Sequence, residues 1–521
     1  MGNCCDTQQK ASKQSSMLQG TSGIIRDLKG GKFHEKYQIL QVIGHGSFGK
    51  IILAEPRDNV LMKVAIKAIP VDVLSNSYSF MLEEIKILRS VDHPNIIKYL
   101  DHFESEKYLY LVMEYCAGGE LFEKIVQNKR FLESDARTVM NKLLRAINHC
   151  HHNGIIHRDI KPENIMYASK EHKAEVKLID FGLSKLSKGN MWDNAIVGTP
   201  FYVSPEILDG IYGTESDIWA LGVVMYILLS GCMPFGGVST HDIFLKIRRF
   251  TGFTFDGILW KSISSEAKDL LNKLCNVNPK RRLKASEALA HPWFEKEHFE
   301  EMTQEQIDIQ TQIIDSLREY RGANKLRKAA MNVFIKHIEE EDIENLRLAF
   351  WKMDHDKTGL ITCTALQQVM RNMKFEMEAD EIDKIIQDIN FEGQTLINYS
   401  EFLAATISTQ QFLSEERLWA LFKHFDPNED NLLSVDAVKR KLAAQGKRMN
   451  TQEIKDIMKS QDINEKYEGR QMSFGGFKRV MEPHKDNENS TRPPLSPIKE
   501  QKEKIDPQLI QVDINQNINY N

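Results

Sequence analysis

Long apolar runs are missing from this chain. The longest candidate, around Ala220 to Leu229, has the length of a buried helix, so no membrane-spanning segment is expected. Charge of one sign is scarce too: 68 Lys and Arg stand against 73 Asp and Glu, a net of −5. Bulk electrostatics therefore imply neither nucleic acid nor an acidic surface as partner. The seven cysteines of the 521 residues show no paired spacing, and no secretory signal opens the chain. A reducing, cytoplasmic compartment is the expectation. His149, Cys150, His151 and His152 suggest a metal cluster at first sight. Consecutive residues on a helix point in different directions, so helix-end packing is the better account.

What is present suits globular cores. Hydrophobic residues make up 41% of the chain, and the length allows about two to four domains. Residues 1–36 are polar and weakly patterned, an extension. From Tyr37 alternating apolar residues predict strands, broken by the turn Gly44-His45-Gly46-Ser47-Phe48-Gly49. A strand with Val64-Ala65-Ile66-Lys67 follows, then a helix around Phe80 to Arg89. After the hinge-like Glu114-Tyr115-Cys116-Ala117-Gly118-Gly119 the pattern is mostly helical, and this unit spans 37–294. A charged helical connector covers 295–340. Helix-loop-helix periods then recur, with loops near Asp354, Asn390, Asp426 and 462–476. They form two lobes, 341–408 and 409–482, at a spacing of roughly thirty-six residues. The tail, 483–521, has too little apolar surface to fold alone.

The chemistry lies in His157-Arg158-Asp159-Ile160-Lys161-Pro162-Glu163-Asn164, followed by Asp180-Phe181-Gly182. These residue types can gather a base, a phosphate-binding lysine and two magnesium ligands around one transferring phosphoryl group. The glycine turn lets backbone amides approach phosphate oxygens with no Cβ in the way. It leads into the strand Lys50-Ile51-Ile52-Leu53 rather than a helix, the context of a nucleotide flap. Lys67 would neutralise the α- and β-phosphates, with Glu84 holding it in place. Asp159 would accept the proton of a substrate hydroxyl and Lys161 would steady the γ-phosphate. Asn164 and Asp180 would take magnesium. Position and charge neutralisation supply most of the rate in such a site. Glu206 and Arg282 form a plausible buried structural pair. Asp217, Trp219 and Gly222 carry packing signatures with no chemistry assigned. Ser184, Ser187 and Thr199 are candidate phosphoacceptors.

On these motifs the segment 37–294 resembles a eukaryotic protein kinase, and Gly118-Gly119-Glu120-Leu121-Phe122 resembles the calcium/calmodulin-regulated branch. The likeness implies an ATP site made by Ile43, Gly44, His45, Gly46, Ser47, Phe48, Gly49, Ile51, Lys67, Glu114 and Cys116. It also implies that Glu120 and Glu163 attract an arginine upstream of the target, and that the target is Ser or Thr. The order of kinase unit, basic junction and four EF-hands resembles the calcium-dependent protein kinases of plants and protists. The fold expected is therefore multidomain: an α+β two-lobed protein kinase followed by an all-α, calmodulin-like EF-hand domain. Protein substrates are the expected partners.

In the connector, Leu326, Ala329, Ala330, Val333, Phe334 and Ile338 share one helical face, flanked by Arg321, Lys325, Arg327 and Lys328. Such a helix binds membranes, acidic grooves or EF-hand lobes. Arg327-Lys328-Ala329-Ala330 also resembles a target whose phosphoacceptor is alanine, so an autoinhibitory pseudosubstrate is expected here.

An EF-hand loop requires oxygens at positions one, three, five, seven and nine, glycine at six and a bidentate glutamate at twelve. The first loop offers Asp354, Asp356, Thr358 and the Leu360 carbonyl, but ends in Ala365. The third offers Asp426, Asn428, Asp430 and the Leu432 carbonyl, with Asn431 able to take the left-handed turn, and ends in Ala437. The second keeps Glu401 at twelve, behind Asn390, Glu392, Gln394 and Thr395. The fourth, Asp462 to Gly476, carries an insertion and no closing glutamate. Calcium binding is expected, if anywhere, at the first and third loops. Phe350, Leu366, Phe402, Phe422, Leu442 and Phe477 should pack the helix pairs regardless.

Met1-Gly2-Asn3-Cys4-Cys5 resembles a myristoylation site at Gly2 with palmitoylation at Cys4 and Cys5, although Asp6 stands where Ser or Thr is usual. One myristoyl chain binds membrane at only about 10⁴ M⁻¹, and a second makes anchoring stable. Association with the cytoplasmic face of a membrane is the expectation. Two other readings are a calcium-insensitive kinase whose EF-hands are structural, and a non-catalytic scaffold.

Overall fold

The computed structural model describes residues 32–45, 49–57, 62–71, 78–171, 174–186, 191–192, 198–295, 312–314, 316–317, 320, 323–335, 338, 343–372, 379–390, 395–407, 414–426, 430–444, 449–460 and 471–482. Gly2, Cys4, Cys5, Gly46, Ser47, Phe48, Ser187, Arg321, Glu392, Gln394, Asn428 and most of the fourth loop lie outside the described residues.

Strands β1 (Tyr37–His45), β2 (Lys50–Pro56), β3 (Val64–Pro70), β4 (Tyr99–Glu104) and β5 (Tyr108–Glu114) form one antiparallel sheet in the order β1-β2-β3-β5-β4. Val64, Ile66 and Ala68 of β3 enter one buried cluster with Ile52, Tyr110 and Val112. Side chains alternate along a strand, so Lys67 falls on the opposite face, in register with Ile51 and Leu111. Helix α1 (Tyr78–Ser90) carries Glu84 and buries Ile85, Ile87 and Leu88.

The large lobe is built on α2 (Glu133–His152) and α3 (Thr214–Ser230). α3 is apolar nearly all round and so occupies the centre of the core. Short strands β6 (Ile165–Tyr167) and β7 (Val176–Leu178) pair antiparallel beneath the sheet. As expected, Arg282 binds Glu206 bidentately, at 2.6 and 2.9 Å.

The carboxy-terminal region comprises α4 (Lys325–Ile335), α5 (Glu344–Met353), β8 (Leu360–Thr362), α6 (Cys363–Asn372), α7 (Ala379–Ile389), β9 (Leu396–Asn398), α8 (Tyr399–Thr406), α9 (Glu415–Phe425), β10 (Leu432–Ser434), α10 (Val435–Ala444), α11 (Thr451–Ser460), β11 (Gln471–Ser473) and α12 (Phe474–Met481). β8 pairs with β9 and β10 with β11, each joining two loops into a lobe. Phe350, Leu366, Phe402, Phe422, Leu442 and Phe477 are all buried in one core, as the sequence predicts.

The junction helix takes one of its expected partners, the EF-hand lobes. Every residue of α4 from Leu326 to Ile335 is buried, and the helix packs against α8, α9 and α12. Arg327 donates to the Glu482 carbonyl at 3.1 Å, and Lys328 to the Asp388 carbonyl. The two basic residues thus serve as ties to the lobes rather than as a solvated flank. In this arrangement Arg327-Lys328-Ala329-Ala330 lies among the EF-hand helices. Its acceptors, the Glu482 and Asp388 carbonyls, are invisible to sequence spacing.

Candidate active site and the loops that regulate it

The cleft between sheet and large lobe gathers the motif residues. Lys67 Nζ lies 3.0 Å from Glu84 Oε1 and 3.0 Å from Asp180 Oδ1. Burial alone would lower the Lys67 pKa, but the two carboxylates outweigh it and raise it, so the ammonium is retained. Burial pushes Glu84 up while Lys67 opposes that rise. We take the charged pair as the resident state, because one cation here faces two carboxylates.

On the opposite wall, Asp159 Oδ2 accepts from Lys161 Nζ at 2.7 Å and from Asn164 Nδ2 at 2.8 Å. The hydroxyl of Thr199 lies 3.0 Å from Lys161 Nζ and 3.3 Å from Asp159 Oδ1. Asn164 also donates to the Asp159 carbonyl at 2.8 Å. Base, lysine and amide are therefore one hydrogen-bonded set. Arg158 (φ 71) and Asp180 (φ 59) are held in the left-handed region, a strain that persists only where the surroundings enforce it. Asp217 does part of this: its carboxylate accepts from the backbone N–H of His157 and of Arg158, each at 2.9 Å, and from His151 at 2.9 Å. Burial alone would raise the Asp217 pKa, but these partners outweigh it and hold it below the usual range. Phe181 is fully buried with its ring edge on His157, at 4.8 Å between centroids.

The hinge is fixed from outside. Glu114 accepts from the Lys98 N–H at 2.6 Å and pairs with buried Lys177 at 3.2 Å. A Cβ on Gly118 would collide with the Ser169 carbonyl oxygen, because Gly118 N–H reaches the Tyr167 carbonyl at 2.9 Å. This close approach is the physical reason for glycine there. Glu120 forms a backbone β-bridge with Met166 of β6. Glu163 Oε2 is buried with no hydrogen-bond partner among the described residues.

Three features escaped sequence reasoning. Thr199, read as a phosphoacceptor, stands between the base and the lysine. Ser184, also read so, is buried with its hydroxyl on the His157 carbonyl at 3.1 Å. Asp217, read as packing, fastens the catalytic loop; an acid at the start of an apolar helix was its one available signal. In the histidine run, His149 Nδ1 meets the Thr358 carbonyl at 2.7 Å and His151 the Asp217 carboxylate at 2.9 Å.

The EF-hand loops differ from one another. In the first, both Asp354 oxygens are taken, Oδ1 by Thr358 N–H at 3.0 Å and Oδ2 by Gly359 N–H at 2.9 Å. In the second, the Asn390 amide nitrogen lies 3.0 Å from the Leu396 carbonyl and 3.1 Å from Glu401 Oε2. In the third, Asp426 Oδ2 accepts from Asn431 N–H at 3.0 Å and from Lys423 at 3.2 Å. Its Oδ1 is buried with no hydrogen-bond partner among the described residues. Asn431 takes φ 62, the left-handed turn expected of it.

A paired lysine and glutamate, an aspartate beside them and an aspartate–lysine–asparagine set across the cleft are the arrangement of a protein kinase. The protein kinase domain family matches residues 37–294, and the EF-hand domain pair family matches 343–407. The chain is 34% identical over 396 residues to calcium-dependent protein kinase 3 of Plasmodium yoelii yoelii, covering 75% of this chain and 72% of that one. It is 34% identical to calcium-dependent protein kinase 12 of Arabidopsis thaliana over 450 residues, 86% of this chain and 90% of the relative. Calcium-dependent protein kinase 7 of the same plant is 29% identical over 518 residues. The chain belongs to the calcium-dependent protein kinase family and is a Ser/Thr protein kinase, with ATP and magnesium as its nucleotide and metal.

Proposed function

We propose that Asp159 is the base for a Ser or Thr hydroxyl of a protein substrate, and that Lys161, fixed by Asp159 and Thr199, meets the γ-phosphate. Lys67 holds the α- and β-phosphates and is positioned by Glu84. The observation that carries this reading is the shared bond of Lys67 to Glu84 and Asp180, opposite an intact Asp159–Lys161–Asn164 set. The Asn164 and Asp180 side chains offer oxygen donors suited to magnesium, which would neutralise phosphate charge. Gly44 and Gly49, at the ends of the glycine turn, let main-chain amides approach the phosphates. The Glu114 carboxylate is engaged by Lys98 and Lys177, so adenine recognition falls to the main chain of Glu114 and Cys116. Glu163, whose buried Oε2 has no hydrogen-bond partner among the described residues, and Glu120 read an arginine upstream of the target.

Calcium control is exerted from the third loop. Asp426 Oδ1 supports this, because a buried carboxylate oxygen with no donor among the described residues suits a cation. The junction helix blocks the cleft only in an arrangement other than this one. Acylation at Gly2, Cys4 and Cys5 holds the enzyme on the cytoplasmic face of a membrane. Phosphate transfer to an arginine-containing peptide, measured with calcium and with chelator, tests the reading: loss in chelator supports third-loop control. Equal rates would select the calcium-insensitive kinase, which the closed first and second loops favour. No transfer by protein with intact Asp159 would return the scaffold.

A further inference from the structure

We propose that the first EF-hand pair, 343–407, is a calcium-free docking module clamped on the large lobe of the kinase, with protein groups standing where a divalent cation would. The inference holds whether or not the third loop takes calcium.

The second loop shows the substitution directly. In a loaded loop the seventh-position carbonyl and the twelfth-position carboxylate converge on the metal. Here they converge on the Asn390 amide, whose two N–H donors meet Leu396 O at 3.0 Å and Glu401 Oε2 at 3.1 Å. Asn390 is 9% exposed and Glu401 6%, so both are withdrawn from water. Glu401 is also held by the Asn398 N–H at 3.2 Å, while Asn398 caps the Glu401 N–H at 2.8 Å. This capping box starts α8 without help from a metal. Oxygens that calcium would bridge are already bridged.

In the first loop the cation comes from the kinase. Asp354 is 1% exposed, and its two oxygens turn the loop by binding its own backbone. Arg145 of α2 brings its Nη1 4.0 Å from Oδ2, with its guanidinium 4.7 Å over the Trp351 ring. The outer rim of the loop is spent on the same helix. Asn148 Nδ2 donates to the Lys357 carbonyl at 2.7 Å, and His149 Nδ1 donates to the Thr358 carbonyl at 2.7 Å. One neutral tautomer serves both sides, because His149 Nε2 accepts from the Asp92 N–H at 3.4 Å. The second loop adds its own tie: Ser400 N–H and hydroxyl both donate to the Asp92 carboxylate, at 2.9 and 2.8 Å. Both loops thus reach one kinase surface and none of these contacts requires a metal.

Gly359 supplies the test. It takes φ 77 at the sixth position, where the third loop has Asn431 at φ 62, so asparagine suits the turn itself. A Cβ at 359 would stand 2.6 Å from His149 Nδ1 and 2.9 Å from His93 Cδ2, both on the kinase. Gly359→Asn therefore spares the loop and wedges the interface. Amide hydrogen exchange on the full-length protein, in chelator and in millimolar calcium, reads the result. Segments 142–149 and 396–406 of the native protein should exchange at the same rates in both. Gly359→Asn should accelerate 142–149 and 399–406 by at least about tenfold, with the β8–β9 amides still protected. Should Gly359→Asn misfold, Asp92→Ala removes the Ser400 tie from the kinase side and should accelerate 399–402. Calcium-driven release of these segments in the native protein, or unchanged rates in a folded variant, overturns the inference. Phosphate transfer does not enter this readout, so a failed activity assay would leave it standing.

Discussion

The amide nitrogen of Asn390 lies 3.1 Å from Glu401 Oε2 and joins the first and twelfth positions of an EF-hand loop without a metal. Replacing it by a second carboxylate inverts the local charge balance. Asn390→Asp should destabilise the protein in chelator by about 3–5 kcal/mol, the cost of an uncompensated buried charge. Millimolar calcium should restore much of the loss. Thermal unfolding in the two buffers checks this, and a native midpoint in chelator would refute it.

Asp159→Asn should lower kcat by about 10³. Thr199→Val should lower kcat by about tenfold with little change in KM for ATP, because it loosens Asp159 and Lys161 without touching the hinge. Thr199→Ser keeps the hydroxyl and should recover the rate. A phosphorylated Thr199 in active enzyme would contradict this placement.

Acid should loosen the docked EF-hand pair. Burial lowers the pKa of His149 and, well below 6.5, that of His93. The hydrogen bond to the Thr358 carbonyl and the Asp92 charge oppose the shift at His149 without cancelling it, while His152 adds to it; at His93, His149, Arg145 and Lys177 add to it. Burial favours the neutral form of both imidazoles when docked, and release into water should relieve that burial. Their contribution is thus complete above about pH 6.5 and is lost as pH falls towards the lowered docked values. Exchange at 142–149 and 396–406 should be flat between about pH 8 and 7, after correction for intrinsic rates, and accelerate below about 6.5. No acceleration down to about pH 5.5 would refute it.

Glu163→Gln should weaken the preference for an upstream arginine by at least about tenfold in kcat/KM, because a desolvated carboxylate loses its charge. A positional peptide array reads this. An unchanged arginine preference would transfer the role to Glu120 or elsewhere.

Gly2→Ala should move the protein from the membrane to the soluble fraction, since one acyl chain seeds attachment and the second secures it. Retention of the variant on membranes would remove Gly2 from the account.

The catalytic set was legible because its chemistry is local: Asp159, Lys161 and Asn164 share one short loop, and Lys67 shares a strand pattern with buried neighbours. The helix pairs were legible for the same reason, through Phe350, Phe402, Phe422 and Phe477. What escaped depends on partners far apart in the chain. Asp217 lies sixty residues from His157, whose N–H it accepts. Arg327 finds a carbonyl 155 positions away. No periodicity encodes such pairings. The degenerate loops were visible as missing ligands, but not the groups that replace them. Asn390 differs from a metal-binding aspartate by one amide, and its direction emerges only once Glu401 is brought to it.

Every side chain from Leu326 to Ile335 is enclosed, and that has a consequence for switching. A helix carrying Leu326, Val333 and Phe334 cannot wait in water between two states, because a bare apolar strip of that length invites aggregation. It must be handed from one cover to another. Any change of regulatory state is therefore an exchange of wrappings, and its rate is set by how well the incoming surface overlaps the outgoing one.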